Sequence, residues 1–195
     1  MTDTPESFDT FGALGLDPMS MVALAAIVII GLPHGAFDGA VALALGYGKT
    51  LRSMFRFIVA YIVIAACVVV FWMVFPTVAL LLFLLISMVH FGLGDSQPGG
   101  WVQRSIQTLA HGGLVVIAIS LFHRAEVDPI FAHLLVGDTT VLWMVLSGAA
   151  YGLAVIVACY AVLAFQSPVL RLRLGELAAL GAAYYVLPPL AGFAL

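Results

Sequence analysis

The sequence predicts an all-α, polytopic transmembrane helical bundle of about six spans. Three observations predict it. Of 195 residues, 64% are hydrophobic and 9% charged, and mean hydropathy is +1.17; soluble domains average about 45–50% apolar and about 25% charged. The apolar residues fall in runs near the 17–25 residues that cross a bilayer. The basic residues, finally, sort onto one face once those runs are taken as spans.

The spans follow in order. The first covers residues 19–32, with a continuation, kinked at Pro33, through "AFDGAVALAL". The second covers 55–75, and a short third, 77–90, follows Pro76 closely. The fourth covers 105–122, the fifth 141–165 and the sixth 176–195. On this count Lys49, Arg52, Arg56, Arg104, Arg171 and Arg173 share one face, and only Arg124 lies opposite. The positive-inside rule assigns the shared face to the cytoplasm of a cell membrane and leaves the N-terminus outside.

Residues 1–18 form an acidic extracytoplasmic tail without the basic n-region of a signal peptide, and 19–195 form one integral membrane domain. The last span ends at "LPPLAGFAL" with no polar or aromatic anchor, so a longer chain is expected to continue past Leu195. No basic tract points to nucleic acid. Cys67 and Cys159 lie within apolar runs and offer no disulfide or zinc pattern. The "GxG" of "FGLGD" precedes no βαβ unit, which excludes a phosphate loop.

Ionisable groups in a span cost about 2.5–3.5 kcal/mol at its centre, and they mark ion paths, cofactors or substrate sites. "GLPHGAFDGA" (31–40) and "VHFGLGD" (89–95) each end an apolar run with a histidine trailed by an aspartate. On the topology above, His34, His90 and His111 approach one depth near the cytoplasmic side, whereas His123 and His133 lie on the other side. His34 and Asp38 are an i, i+4 pair, so the carboxylate could hold the second ring N–H of a metal-bound imidazole. Asp95 is expected to serve His90 likewise, with Gly92 and Gly94 letting the backbone turn back. Imidazoles without a thiolate suit iron, zinc or copper, and non-haem Fe(II) is a natural candidate. A lone interfacial histidine is more often a hydrogen-bonded anchor, the plainer reading of His111, His123 and His133. Gly31, Gly35 and Gly39, like Gly148 and Gly152, form small-xxx-small stripes that serve helix packing more often than ligand binding. Phe37, Phe83, Phe91, Trp101, Phe122, Trp143, Tyr184 and Tyr185 are candidates for a polyene tunnel, although such residues mostly face lipid.

"LPHGAFD", "VHFGLGD" and "HGGLVVIAISLFHRAEVDPIF" together resemble the Brp/Blh family of bacterial and archaeal membrane β-carotene 15,15'-dioxygenases. The resemblance runs from about residue 20 onward, and its Pro-His-Gly-Ala-x-Asp block is the most specific part. It implies an all-helical membrane enzyme that holds Fe(II) on histidines and cleaves β-carotene with O2 into two retinal molecules. It also implies a microbial rhodopsin as acceptor of the retinal. His34 and His90 occupy the family's first two metal-ligand positions, and Asp38 and Asp95 the acidic positions behind them. The family carries a further His-x-x-x-His pair on a C-terminal helix, and no histidine follows His133 here. Where the family commonly has arginine before the third block's first glycine, this chain has His111, a candidate third ligand.

Two readings from other classes compete. A transporter or proton pathway would use the His/Asp pairs as titrating sites, and a haem-binding membrane subunit would use His34 and His90 as axial ligands. Neither inverted repeats nor the dense histidine clusters of a di-iron desaturase are evident.

Overall fold

The computed structural model describes residues 37–194, together with residues 21, 22, 25, 28 and 29. Every regular element among them is helical. Residues 37–44 are helical (α1), and a turn with Gly46 at φ 88° leads through a short 3-10 segment, Tyr47–Lys49, into α2, Leu51–Val74. Thr50 caps α2 by accepting from the Ser53 N–H at 3.1 Å. Prolines punctuate the rest. Pro76 opens α3, Pro76–Asp95, and forces the residue before it, Phe75, out of helical geometry. Pro168 opens α8, Pro168–Val186, in the same way, and that helix stops before Pro188 and Pro189, which begin the short α9, Pro189–Phe193.

Between these lie α4, Trp101–Gly113, a π-helical segment at Leu114–Ala118, and α5, Ile119–Phe122. Then come α6, Arg124–Leu135, and α7, Thr140–Ala164. Among the described residues, four stretches are long and apolar enough to cross a membrane: α2, α3, the continuous Trp101–Phe122 segment and α7. Most of the first predicted span lies outside the described residues. The sixth differs from expectation: its helix begins at Pro168, carries Arg171, Arg173 and Glu176, and breaks at Pro188 rather than running to the chain end. The six-span count is thus compatible with the fold but not established by it.

Burial runs opposite to hydropathy. The most apolar helix, α2, has a mean hydropathy of 2.9 and buries no residue. The least apolar of the four, Trp101–Phe122 at 1.7, lies mostly inside and carries the buried Gln107, Thr108, His111 and Ser120. In water this order would be unstable, because apolar surface seeks the interior. With hydrocarbon outside it is the stable order, since polar groups must find partners within the bundle.

The tightest packing is between α3 and α4. A methyl group on Gly92 would strike the Thr108 carbonyl oxygen, and one on Gly112 would strike the Met88 carbonyl oxygen. These backbones touch, as small residues allow in membranes. The two contacts fix an antiparallel register in which His90 lies level with Ala110, one residue from His111. By contrast, an added Cβ at Gly39, Gly148 or Gly152 meets nothing within 4 Å, so these members of the expected stripes pack against no described neighbour.

Two apolar clusters complete the bundle. One joins Leu80, Ile117, Phe131, Leu142, Trp143 and Leu146, and the other joins Ala110, Tyr160, Ala164, Leu170 and Leu177. On the face opposite the basic residues, α6 is tied to α7. Asp128 accepts from the Thr139 hydroxyl at 2.7 Å and from the Trp143 indole N–H, and the Arg124 guanidinium lies 4.6 Å from the Trp143 ring centroid. The indole N–H first, then the Thr139 hydroxyl, holds the Asp128 carboxyl below its usual range, against partial desolvation.

Two predictions follow from this packing. Gly92→Ala or Gly112→Ala should destabilise the protein by about 1–3 kcal/mol, the usual cost of overpacking, in denaturant titrations in mixed micelles. Gly94→Ala, with open space around it, should cost far less; equal losses for the three would refute the close contact. Because the Asp128 pKa is depressed by folding, its charge stabilises above the unfolded value of about 3.9 and is lost as pH falls through the lower folded value. The melting-temperature gap between wild type and Asp128→Asn should therefore hold from pH 7 to about 4 and close only below it. A gap that closes well above that pH would show that the two donors do not favour the carboxylate.

Candidate functional site

Two hollows open side by side between α3, the Trp101–Phe122 segment and α8. The larger, about 630 Å³, is walled by His90, Phe91, Val115, Leu180, Tyr184 and Phe193, with the Leu93–Asp95 stretch completing it. The π-helical turn carries Val115 into this wall; such turns widen a helix locally and recur at functional sites. The short α9 closes the far side, with Phe193 edge-on to Phe91 at a centroid distance of 5.5 Å. The smaller hollow, about 440 Å³, is polar, lined by Asp95, His111, Arg173 and Glu176 beside Ala179 and Leu180. Asp95 and Leu180 belong to both.

The polar hollow is held by its own ion pair. Arg173 Nη1 donates to Glu176 Oε2 at 2.6 Å, one turn along α8. With its amide oriented to accept, Gln97 takes Arg173 Nη2 and Nε at 3.0 and 3.2 Å. The Gln97 backbone N–H donates in turn to the buried Gln107 at 3.1 Å. The α3–α4 link is thereby fastened to α4 and α8. His111 differs from these groups. It is 4% exposed, sits 5.8 Å from the Tyr160 ring by centroids, and neither ring nitrogen has a hydrogen-bond partner among the described residues. The Tyr160 hydroxyl, fully buried, is equally unpaired. Buried polar atoms left this way are rare and point to a partner of another kind.

His90 and His111 do come to one level, at the walls of adjoining hollows. Asp95 lines both hollows but is not hydrogen-bonded to His90. The expected backbone turn at Gly92 and Gly94 is absent: α3 stays helical to Asp95, which places the carboxylate five residues and about 140° round the helix from His90. Gly92 serves the contact with α4 instead. Asp38 accepts from the Tyr61 hydroxyl at 3.0 Å through Oδ2, and His34 lies outside the described residues. His123 takes the Tyr184 carbonyl at 2.8 Å through Nε2, an anchor as expected. Of the aromatic candidates, Phe91 and Tyr184 line the larger hollow. Phe83 pairs with Trp72, Phe122 with Tyr185 and Trp143 with Phe131, away from it.

Sequence reasoning passed over Arg173 and Glu176 as site residues, although two opposite charges three residues apart in an apolar segment were the signal for them. Val115, Leu180 and Phe193 carried no signal, because only the folded bundle distinguishes their faces from lipid-facing ones. Among the described residues no three His, Cys, Asp or Glu side chains gather closely enough to hold an ion. The unpaired imidazole nitrogens of His111 suit a metal by type, yet the described residues alone do not make an iron site.

An all-helical bundle whose most apolar helix faces outward and whose polar groups face inward defines the class: an integral membrane protein. Within that class the chain belongs to the β-carotene 15,15'-dioxygenase family, whose model matches residues 25–195. The β-carotene 15,15'-dioxygenase of the uncultured marine bacterium 66A03 is 34% identical over 134 residues, which cover 68% of this chain and 49% of that protein. The chain thus spans about half the length of the curated relative it matches. No solved structure matches it.

His111→Phe tests the unpaired imidazole. Replacing an unsatisfied buried polar group with an apolar one of similar shape removes a penalty of about 1–3 kcal/mol, so in chelator-treated, metal-free protein the variant should be as stable as wild type or more so. Destabilisation in the same denaturant titration would show that the nitrogens have a partner in the folded protein.

Proposed function

We propose that this chain carries out oxidative cleavage of β-carotene at its central 15,15' double bond, giving two molecules of retinal. The observation that carries this reading is the family match across residues 25–195. The larger hollow supports it, being walled mostly by aromatic and aliphatic side chains, with His90 and Asp95 among them. The reaction balances with dioxygen alone: the carbon–carbon double bond breaks, and each carbon takes one oxygen atom to become an aldehyde.

Iron(II) is the proposed cofactor, held by His34 and His90 with His111 as a third donor. When bound, it would supply an open position at which dioxygen becomes reactive. Asp38 accepts the Tyr61 hydroxyl through Oδ2, which ties helix α1 to helix α2 beside the position proposed for the first ligand. The rest of the chain's work is positional. A long hydrocarbon offers no polar handles, so the walls of the chamber must place it and exclude water. The substrate dissolves in the bilayer and would enter between helices, and the exposed apolar faces of α2 and α3 present no polar barrier to it. We place the protein in the cell membrane with its N-terminus outside, on the distribution of basic residues, and a microbial rhodopsin would accept the retinal.

Expression in bacteria that accumulate β-carotene, using this chain and the longest reading frame that contains it, tests the proposal. Retinal should form, and His90→Ala should lower it by at least about a hundredfold, the upper range for disturbing metal-site residues. Iron content of the purified protein should fall in parallel. Retinal from neither version overturns the reading, and a haem absorption band would put the haem-subunit alternative in its place.

A further inference from the structure

The two hollows differ in the charged groups they present, and they share two side chains, Asp95 and Leu180. The larger presents Phe91, Val115, Tyr184 and Phe193, and His90 stands in its wall. The smaller presents Asp95, His111, Arg173 and Glu176. A hydrocarbon pushed into the smaller would strip solvation from the Arg173–Glu176 pair, which the larger hollow lacks, without replacing a single hydrogen bond, a cost that rises steeply for charged groups. It would stop at the boundary. The apolar side chain at that boundary is Leu180, which faces both hollows beside Asp95.

Resting on the cleavage reading above, we propose that Leu180 is a specificity-determining residue, the end stop that fixes which double bond of a bound polyene lies beside His90. A symmetric polyene has many near-identical double bonds, and sliding by one of them changes no polar contact. Registration must therefore come from where the molecule can advance no further. Val115 sets the width of the same chamber, because the π-helical turn swings it into the wall opposite α3. The charged hollow behind Leu180 makes the stop abrupt: beyond the leucine there is no gradual loss of apolar contact but a paired guanidinium and carboxylate.

The test compares Leu180→Ala with wild type and with Leu172→Ala, which lies on α8 at an exposed position away from both hollows. Two readouts are taken: the chain lengths of the aldehydes by chromatography, and the visible circular dichroism that an achiral β-carotene acquires in a chiral site, measured on protein in lipid nanodiscs. Removing part of an apolar wall alters discrimination by about 10–200-fold per methylene-sized change. Leu180→Ala should therefore raise unequal aldehyde pairs, relative to retinal, at least about tenfold, and should shift the dichroic band. Leu172→Ala should do neither.

Retinal as the sole product of Leu180→Ala, at any total rate, overturns the proposal, since a merely structural residue would lower yield without changing product lengths. If no version makes retinal, the cleavage reading has failed, and the stop is judged by dichroism alone: a band altered in Leu180→Ala and not in Leu172→Ala supports it, and an unaltered one refutes it. If Leu180→Ala does not accumulate, Leu180→Val is read against the same two outcomes.

Discussion

The contact of α3 with α4 is the constraint on which the site depends. Lipid tails are as apolar as leucine, so no hydrophobic force drives two helices together within a bilayer. What remains is close packing, and here it is taken to the limit of backbone on backbone at Gly92 and Gly112. Each contact sets a glycine Cα against a carbonyl oxygen of the facing helix, the arrangement in which weak Cα–H···O bonds add to dispersion. Because the two contacts lie four residues apart on each helix, they fix rotation as well as distance. His90 and His111 reach one level for this reason, and the hollows beside them exist because α8 is left to span the gap.

The polar interior of this bundle is consistent with that economy. Gln107, buried completely, spends its amide oxygen on the Gln97 N–H, and Gln97 is placed to receive Arg173. Arg173 in turn holds Glu176. Gln97, Gln107, Arg173 and Glu176 thus satisfy one another in the link between α3, α4 and α8, as a membrane interior demands. Against that background the unpaired nitrogens of His111 and the unpaired hydroxyl of Tyr160 stand out. They lie where the satisfied network ends and the site begins.

Much of the architecture was legible. The apolar runs and the proline at 76 gave helices and a break close to those observed for the second to fifth spans, because a bilayer permits few alternatives to a helix and proline restricts the residue before it. Where the reading failed, it failed for a shared reason. "FGLGD" looked like a place for the chain to turn, since glycine disfavours helix in water. In lipid an unpaired backbone costs more than glycine's entropy, so α3 ran on to Asp95. The same rule misjudged the stripes: Gly148 and Gly152 have the spacing for packing and meet no described neighbour, while Gly92 and Gly112 make the closest contact of all. Spacing shows that a face is small, and only the fold decides what approaches it.

The site was legible to the extent that its chemistry is local. Histidines in an apolar setting draw attention by cost alone, and His90 and His111 came to one level, in the walls of adjoining hollows. Their carboxylate neighbours were harder to read, since a side chain's partner is chosen across space. Asp38 found Tyr61 on α2, twenty-three residues away, and Asp95 came to stand between two hollows rather than behind one imidazole. Placed there, Asp95 faces the polar hollow with Arg173 and Glu176 and the aromatic chamber with His90. A carboxylate at such a boundary marks the last point at which solvation is available from within the protein. Beyond it the wall of the chamber is aromatic edges and aliphatic carbon around the His90 ring.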